Sequence, residues 1–391
     1  MAHFLWSLRD KLVDAGGDFI GSIIAATVIL LLGFIGSYLI RAISYFYRMQ
    51  KALGAVGRVQ KDGVWVEGAG VWACQPIFKP KDYMRRLETS KVLTIANLKG
   101  GVGKTTVAAN VGAYLADALE KPVLMIDLDF QGSLSVMAMP TVTIAGENQN
   151  SPANHLISGE MNAHSISSIG YTAINQSNLK LIPTGYDLAQ AENRLLVEWL
   201  LGNRKIDIRF RLAELLHSDE VRNAFGLIII DAPPRLTTSA IQALCATTHL
   251  LIPTILDDQS ATAVKRFIGQ VESLKGSLCP HMRYIGVAGT MTLNTEDGPI
   301  RSDAEFKPAE RYLRTLKVPL LPRLTYIRES TQFRDAAGVG IAYNVYGRIA
   351  RFAEVGSRIE ALGDHIITSM GLVRRQGHEV QTIASVARIN R

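Results

Sequence analysis

The chain has 391 residues, 48% of them hydrophobic and 20% charged, with a formal net charge of +7. That length exceeds one average domain and can bury a substantial core. Cys74, Cys245 and Cys279 lie far apart with no C-x-x-C, and the eight histidines show no H-E-x-x-H or other metal spacing, which argues against a disulfide framework and structural zinc and suits a reducing compartment.

After a short segment at 1–18, Phe19 to Ile40 runs without a charged side chain. As a helix this stretch measures about 33 Å, enough to cross a hydrocarbon core of about 30 Å. Core helices are usually shorter and carry a polar face, and a cleaved signal peptide would need a basic n-region and an A-x-A site that are not here. Residues 1–40 hold two basic against three acidic side chains, and residues 41–91 hold ten against four. The positive-inside bias therefore predicts a single span, with the bulk of the chain in the cytoplasm.

Residues 41–90 read as a basic juxtamembrane linker able to hold anionic lipid, opening on the aromatic-basic run Tyr45, Phe46, Tyr47, Arg48. Within it, 59–74 predicts one or two short hairpins with turns at Asp62-Gly63 and at 68–70. Trp65 and Trp72 fit either the membrane interface or packing against the domain that follows.

That domain is predicted over 91–370. Lys91 to Ala96 is a short β-branched strand. Asn97-Leu-Lys-Gly-Gly-Val-Gly-Lys-Thr-Thr106 follows, and then an Ala-rich stretch to Leu119 with apolar residues at helical spacing. Strand, glycine loop and helix start form the arrangement in which backbone N–H groups cradle phosphates. Gly100, Gly101, Val102, Gly103, Lys104, Thr105 and Thr106 are the candidate cradle. Lys104 would contact the β- and γ-phosphates of ATP, and Thr105 would hold Mg²⁺.

Two further strands end in acids: Val123 to Asp127, followed by Asp129, and Leu227 to Asp231. Carboxylates at such strand ends sit where a parallel sheet opens its ligand crevice. The alternation of apolar strands with helical segments predicts a three-layer α/β fold around a mostly parallel sheet, joined to one N-terminal transmembrane helix. Residues 140–178, rich in Asn, Ser and Gly with scattered helix signals, look like an insertion beside the switch. Residues 301–391 carry fifteen basic against nine acidic side chains and end in a basic tail at 371–391. Arg311, Arg314, Arg323, Arg328 and Arg334 are candidates for nonspecific DNA contact, against the plainer reading of a solvated helix face.

KGGVGKTT, DLDFQG and IIIDAPP together resemble the ParA/MinD group of deviant-Walker P-loop ATPases, and the spacing is most similar to its ParA branch. The likeness continues through 179–192, 249–254, 321–330 and 338–343, covering roughly residues 90–365. It implies an ATP hydrolase that dimerises around two nucleotides. Lys99 would be the signature lysine, reaching across to the partner's phosphates. Asp129 would orient the attacking water, Asp231 would act in the Mg²⁺ shell, directly or through water, and Asp127 would support the switch segment. Leu98 stands where a polar residue is more usual, and Phe130 where proline is common.

With the apolar span, these features read as a membrane-anchored ATP-dependent switch in a bacterial cell membrane, which recruits a protein that stimulates hydrolysis. The alternatives are a DNA-partition ATPase, a bacterial tyrosine kinase, a phage-defense component, and a scaffold that holds ATP structurally. The tail has no tyrosine cluster, against the kinase, and the intact catalytic set speaks against the scaffold. The cargo is not written in the sequence.

Overall fold

The computed structural model describes residues 7, 10, 19–56, 60–61, 64–65, 69–73, 75–140, 150–202, 207–292, 302–336, 338–346 and 353–376. Its strands are β1 (Gln60–Lys61), β2 (Val64–Trp65), β3 (Val92–Ile95), β4 (Val123–Asp127), β5 (Thr172–Ala173), β6 (Gln176–Ile182), β7 (Leu227–Asp231), β8 (His249–Ile255), β9 (Arg283–Thr292) and β10 (Ile327–Arg328).

An eight-stranded sheet runs in the order β10-β9-β8-β3-β7-β4-β6-β5. Every pairing in it is parallel except the edge pair of β5 with β6. β3, β4 and β7 are buried along their whole length, as strands covered on both faces must be. Alternate side chains enter two separate cores. Leu124 and Ile126 of β4 join one, with helices Pro152–Ser158, Asp187–Leu200, Thr238–Ala246 and Asp258–Lys275. Val123 and Met125 join the other, with helices Lys104–Ala118 and Ala353–Met370. This is the predicted three-layer architecture.

The N-terminal helix spans Phe19–Val56, well past the predicted end at Ile40. Its stretch Ile24–Tyr47 has a hydropathy of 2.0 and is long and apolar enough to cross a membrane. Large side chains along it lie bare of protein, Leu30 at 74% and Phe34 at 77% exposure.

Beyond this helix, β1 and β2 pair antiparallel, Gln60 with Trp65. Instead of a second turn at 68–70, the chain enters helix Ala69–Trp72. Trp72 settles between its two sequence readings by packing inward. It stacks on Trp199 with ring centroids 5.5 Å apart, and its Nε1 donates to the Leu236 carbonyl at 3.2 Å. Trp65's side chain lies outside the described residues. Arg209, fully buried, fastens the same segment. It pairs with Asp207 and donates to the carbonyls of Trp72 and Pro76, while the Phe78 N–H donates to Asp207. A buried ion pair needs that satisfaction to offset its desolvation.

The 140–178 segment contains helices Pro152–Ser158 and Ala163–Ser167. Residues 141–149 lie outside the description, but Ala153, Leu156 and Ile157 of helix Pro152–Ser158 enter the core. Asp187 holds the start of that helix by accepting from the Ser151 N–H and from Asn154 Nδ2. Near the C-terminus, Arg374 pairs with Asp364 at 2.6 Å, and the tail from 377 lies outside the description.

Candidate active site

β3 delivers the chain into the glycine loop at the C-terminal edge of the sheet. Gly101 (φ 71°) and Gly103 (φ 78°) adopt left-handed backbone, which side chains disfavour. A Cβ on Gly100 or Gly101 would meet nothing within 4 Å, so this wall of the loop is open to a ligand. Helix Lys104–Ala118 starts at Gly103 and points its N-terminal dipole at that space. Val102 is buried, and its carbonyl accepts from Thr290 Oγ1 of β9 at 2.9 Å. Thr106 is the third residue of the helix, its carbonyl held by Asn110 Nδ2 at 2.8 Å.

Asp127 and Asp231 are register partners at the ends of β4 and β7, so the two acid-tipped strands deliver their carboxylates side by side. Asp127 accepts from the N–H and hydroxyl of Ser135 at 2.9 and 2.7 Å, and from the Asp129 N–H at 3.2 Å. It ties β4 to helix Ser133–Ala138 and shapes the segment bearing Asp129. Burial pushes the Asp127 carboxyl up, against its Ser135 bonds. Burial, and then the charge of Asp127, push Asp231 further up, with Thr105 and Lys104 opposing.

Thr105 Oγ1 donates to Asp231 Oδ2 at 2.6 Å. The other Asp231 oxygen is buried and meets no hydrogen-bond partner among the described residues. A hydroxyl beside an orphaned carboxylate oxygen, both hard oxygen donors, fits Mg²⁺. Lys104 is buried at 7% exposure, with Nζ 3.3 Å from the Lys99 carbonyl. Burial lowers its pKa, while Asp231 and Asp129 pull it back up, so ammonium and carboxylates share one site.

In the single subunit Lys99 rests against its own chain. Its Nζ donates to Ser260 Oγ at 2.6 Å and stands 3.7 Å from Asp257 Oδ1 in the same chain. An ammonium seeks oxygen acceptors, and the cap of helix Asp258–Lys275 supplies them. Among the DNA candidates, Arg323 pairs with Glu310 and Arg328 with Glu354, so these two charges are partly neutralised. Arg311, Arg314 and Arg334 are exposed.

A family model described as an AAA domain matches residues 90–284. The chromosome-partitioning ATPase Soj of Treponema pallidum is 31% identical over 201 residues, 51% of this chain and 71% of that protein. The chain belongs to the ParA/Soj family of P-loop ATPases. Chromosome partitioning protein ParA of Caulobacter vibrioides is 29% identical over 201 residues, 51% of this chain and 69% of that one. Among solved structures, the Cyanothece McdA–ATP complex superposes with a TM-score of 0.58 at 23% identity, covering 71% of this chain and 96% of that one. Pyrococcus furiosus cell division ATPase MinD gives 0.50 at 22% identity over 72% and 99%. At such identities the likeness carries the fold alone.

Several residues of this ParA/Soj-family site escape sequence reasoning. Asn97 pins the loop, its Nδ2 donating to the Pro253 carbonyl at 2.8 Å and its Oδ1 accepting from the Lys99 N–H at 3.1 Å. Its position at the strand end was the available signal. Glu192 accepts from the Ser239 N–H and hydroxyl and braces the segment after Asp231. A cavity of about 250 Å³ opens beside the loop between Thr106, Thr290, Met291, Ser330 and Phe333. Only the family resemblance over 321–330 hinted at it.

Proposed function

We propose that the protein is a membrane-anchored, ATP-dependent dimerisation switch at the cytoplasmic face of a bacterial cell membrane. It binds MgATP, closes on a second copy as a nucleotide sandwich, engages a partner protein and resets by slow hydrolysis. The observation that carries this reading is the meeting of Thr105 with a half-satisfied Asp231 beneath an open glycine loop.

In this scheme the backbone N–H groups of 100–106 and the Lys104 ammonium hold the phosphates, and the cavity beside Thr106 takes the base. Thr105 and Asp231 would hold Mg²⁺, which when bound would supply the charge neutralisation that phosphoryl transfer needs. Asp129 orients the attacking water. Lys99, delivered by the second subunit, adds positive charge in the transition state, as an arginine finger does at a gain of roughly 10³–10⁵ in rate. Hydrolysis is then conditional on dimerisation, and the enzyme works as a timer.

Asp129→Ala tests the scheme. Phosphate release should fall at least about 100-fold, while MgATP-dependent dimers accumulate, because the phosphate contacts persist. Wild-type turnover in that variant would remove Asp129 from the mechanism.

A second reading, partition with nonspecific DNA binding, is favoured by exposed Arg311, Arg314 and Arg334 and by the names of the Soj and ParA relatives. An anchored chain could not roam the nucleoid, but it could capture DNA at the membrane. Salt-sensitive binding of random duplex would support this reading, and no binding at low salt would remove it.

A further inference from the structure

Lys99, Ser260 and Asp257 form a directional chain. Asp257 caps helix Asp258–Lys275, accepting from the Ser260 N–H at 2.6 Å and from the Ser260 hydroxyl at 2.9 Å. A hydroxyl has one proton to give. With that proton spent on Asp257, Ser260 Oγ offers a lone pair to the Lys99 ammonium, which takes it at 2.6 Å. The helix cap is complete without the lysine, so the fold does not require the contact. The lysine is fixed at its root as well, because Asn97 accepts from the Lys99 N–H and is itself bonded to the Pro253 carbonyl.

The same ammonium cannot rest on Ser260 and also reach a second subunit's phosphates. We propose that Asp257 and Ser260 are positioning residues for Lys99: they dock it in the resting subunit, and dimerisation has to draw it off. This rests on the reading that Lys99 serves the partner's site. The route of release is also visible. Lys104 Nζ lies on the Lys99 carbonyl, so phosphates that attract Lys104 remove one restraint on the docked segment. Nucleotide binding and lysine release are thereby linked within one subunit. The dock is weak enough to yield, since Lys99 and Asp257 retain 28% and 45% side-chain exposure, and solvent-exposed ion pairs are screened.

The test uses the full chain in nanodiscs or detergent, with Asp257→Asn, which keeps a capping oxygen, and Ser260→Ala, which keeps Asp257. Acylation of Lys99 by an amine-reactive acetyl ester, read by mass spectrometry without nucleotide, reports the dock directly. Both variants should acylate faster at Lys99 than wild type, with unchanged rates at Lys180. In an Asp129→Ala background, the concentration at which MgATP-dependent dimers half-form should fall roughly threefold to tenfold, since two docks open per dimer. Equal acylation in wild type and both variants would overturn the dock. Faster acylation with an unchanged or higher dimer midpoint would overturn its control of dimerisation. Lys99→Ala is run alongside: if it still dimerises and hydrolyses like wild type, the trans-lysine reading fails, whatever the acylation rates show.

Discussion

Thr105 and Asp231 touch through a single 2.6 Å hydrogen bond across 126 residues of sequence. The hydroxyl starts a helix and the carboxylate ends a strand, so neither can move far without disturbing the sheet. This rigidity preorganises oxygen donors beside the glycine loop, which phosphoryl transfer needs more than covalent help.

Asp231→Asn should preserve the shape and the Thr105 contact while removing the charge. MgATP affinity should drop roughly 10–100-fold, and affinity for ATP with EDTA present should change little. Isothermal titration with and without Mg²⁺ separates the two. Equal losses in both conditions would place Asp231 outside the metal shell.

The two lysines of the loop should separate cleanly. Lys104 is buried among carboxylates and in the proposed scheme serves its own subunit, so Lys104→Ala should cost nucleotide binding itself. Lys99→Ala should leave monomer affinity nearly intact yet abolish dimerisation and stimulated hydrolysis. Mixing Lys99→Ala with Asp129→Ala should restore part of the activity, because one composite site regains both groups. A mixture that forms heterodimers and stays inactive would show that Lys99 acts within its own chain or that both sites must fire together.

Burial of the Ile24–Tyr47 stretch in a bilayer, as proposed, would be hydrophobic rather than electrostatic. The chain should therefore sediment with membranes and resist carbonate and high salt, and deletion of 1–56 should release it unless the basic segment beyond suffices for peripheral binding. A soluble fragment should begin before Ala69, since cutting at residue 80 strips Trp72 from Trp199 and leaves the Asp207–Arg209 pair uncovered. An intact chain that is soluble without detergent would contradict the anchor.

His217 is buried at 1% exposure, and burial, then the neighbouring His281, hold its pKa down to about 3. The unfolded chain, with a histidine pKa of about 6.5, binds the proton more readily. His217 therefore contributes stability above pH 6.5 that is lost as pH falls toward 3. Urea midpoints of His217→Leu should lose less than wild type between pH 7 and pH 5. Parallel pH profiles would show that His217 does not drive the acid sensitivity.

The parts of the fold legible in the sequence were those in which one segment carries its own signal. The glycine loop, the acid-tipped strands β4 and β7 and the apolar helix are all local patterns. What stayed hidden depends on pairs brought together by folding. Ser260 reads as an ordinary third residue of a helix until β8 places it beside β3 and within reach of Lys99. Arg209 reads as a surface charge until Trp72 and Pro76 turn their carbonyls to it. The helix start at Ser151 stayed hidden because its brace, Asp187, lies 36 residues further along the chain. Arg323 and Arg328 looked available for DNA because their partners, Glu310 and Glu354, lie on other elements.

The fastening of Trp72 by Trp199 and Arg209 also sets how the enzyme can meet its like. Twelve residues separate helix Phe19–Val56 from helix Ala69–Trp72, a gap that no extended chain can stretch beyond about 45 Å. With the apolar helix in a bilayer, as proposed, the catalytic body would stay within that distance of the lipid. If the anchored chain dimerises as proposed, encounters would become collisions in a plane, and crowding on the membrane, more than the amount in the cell, would decide when two subunits close. A cell could thus switch this enzyme by gathering or dispersing it, without changing how much it makes.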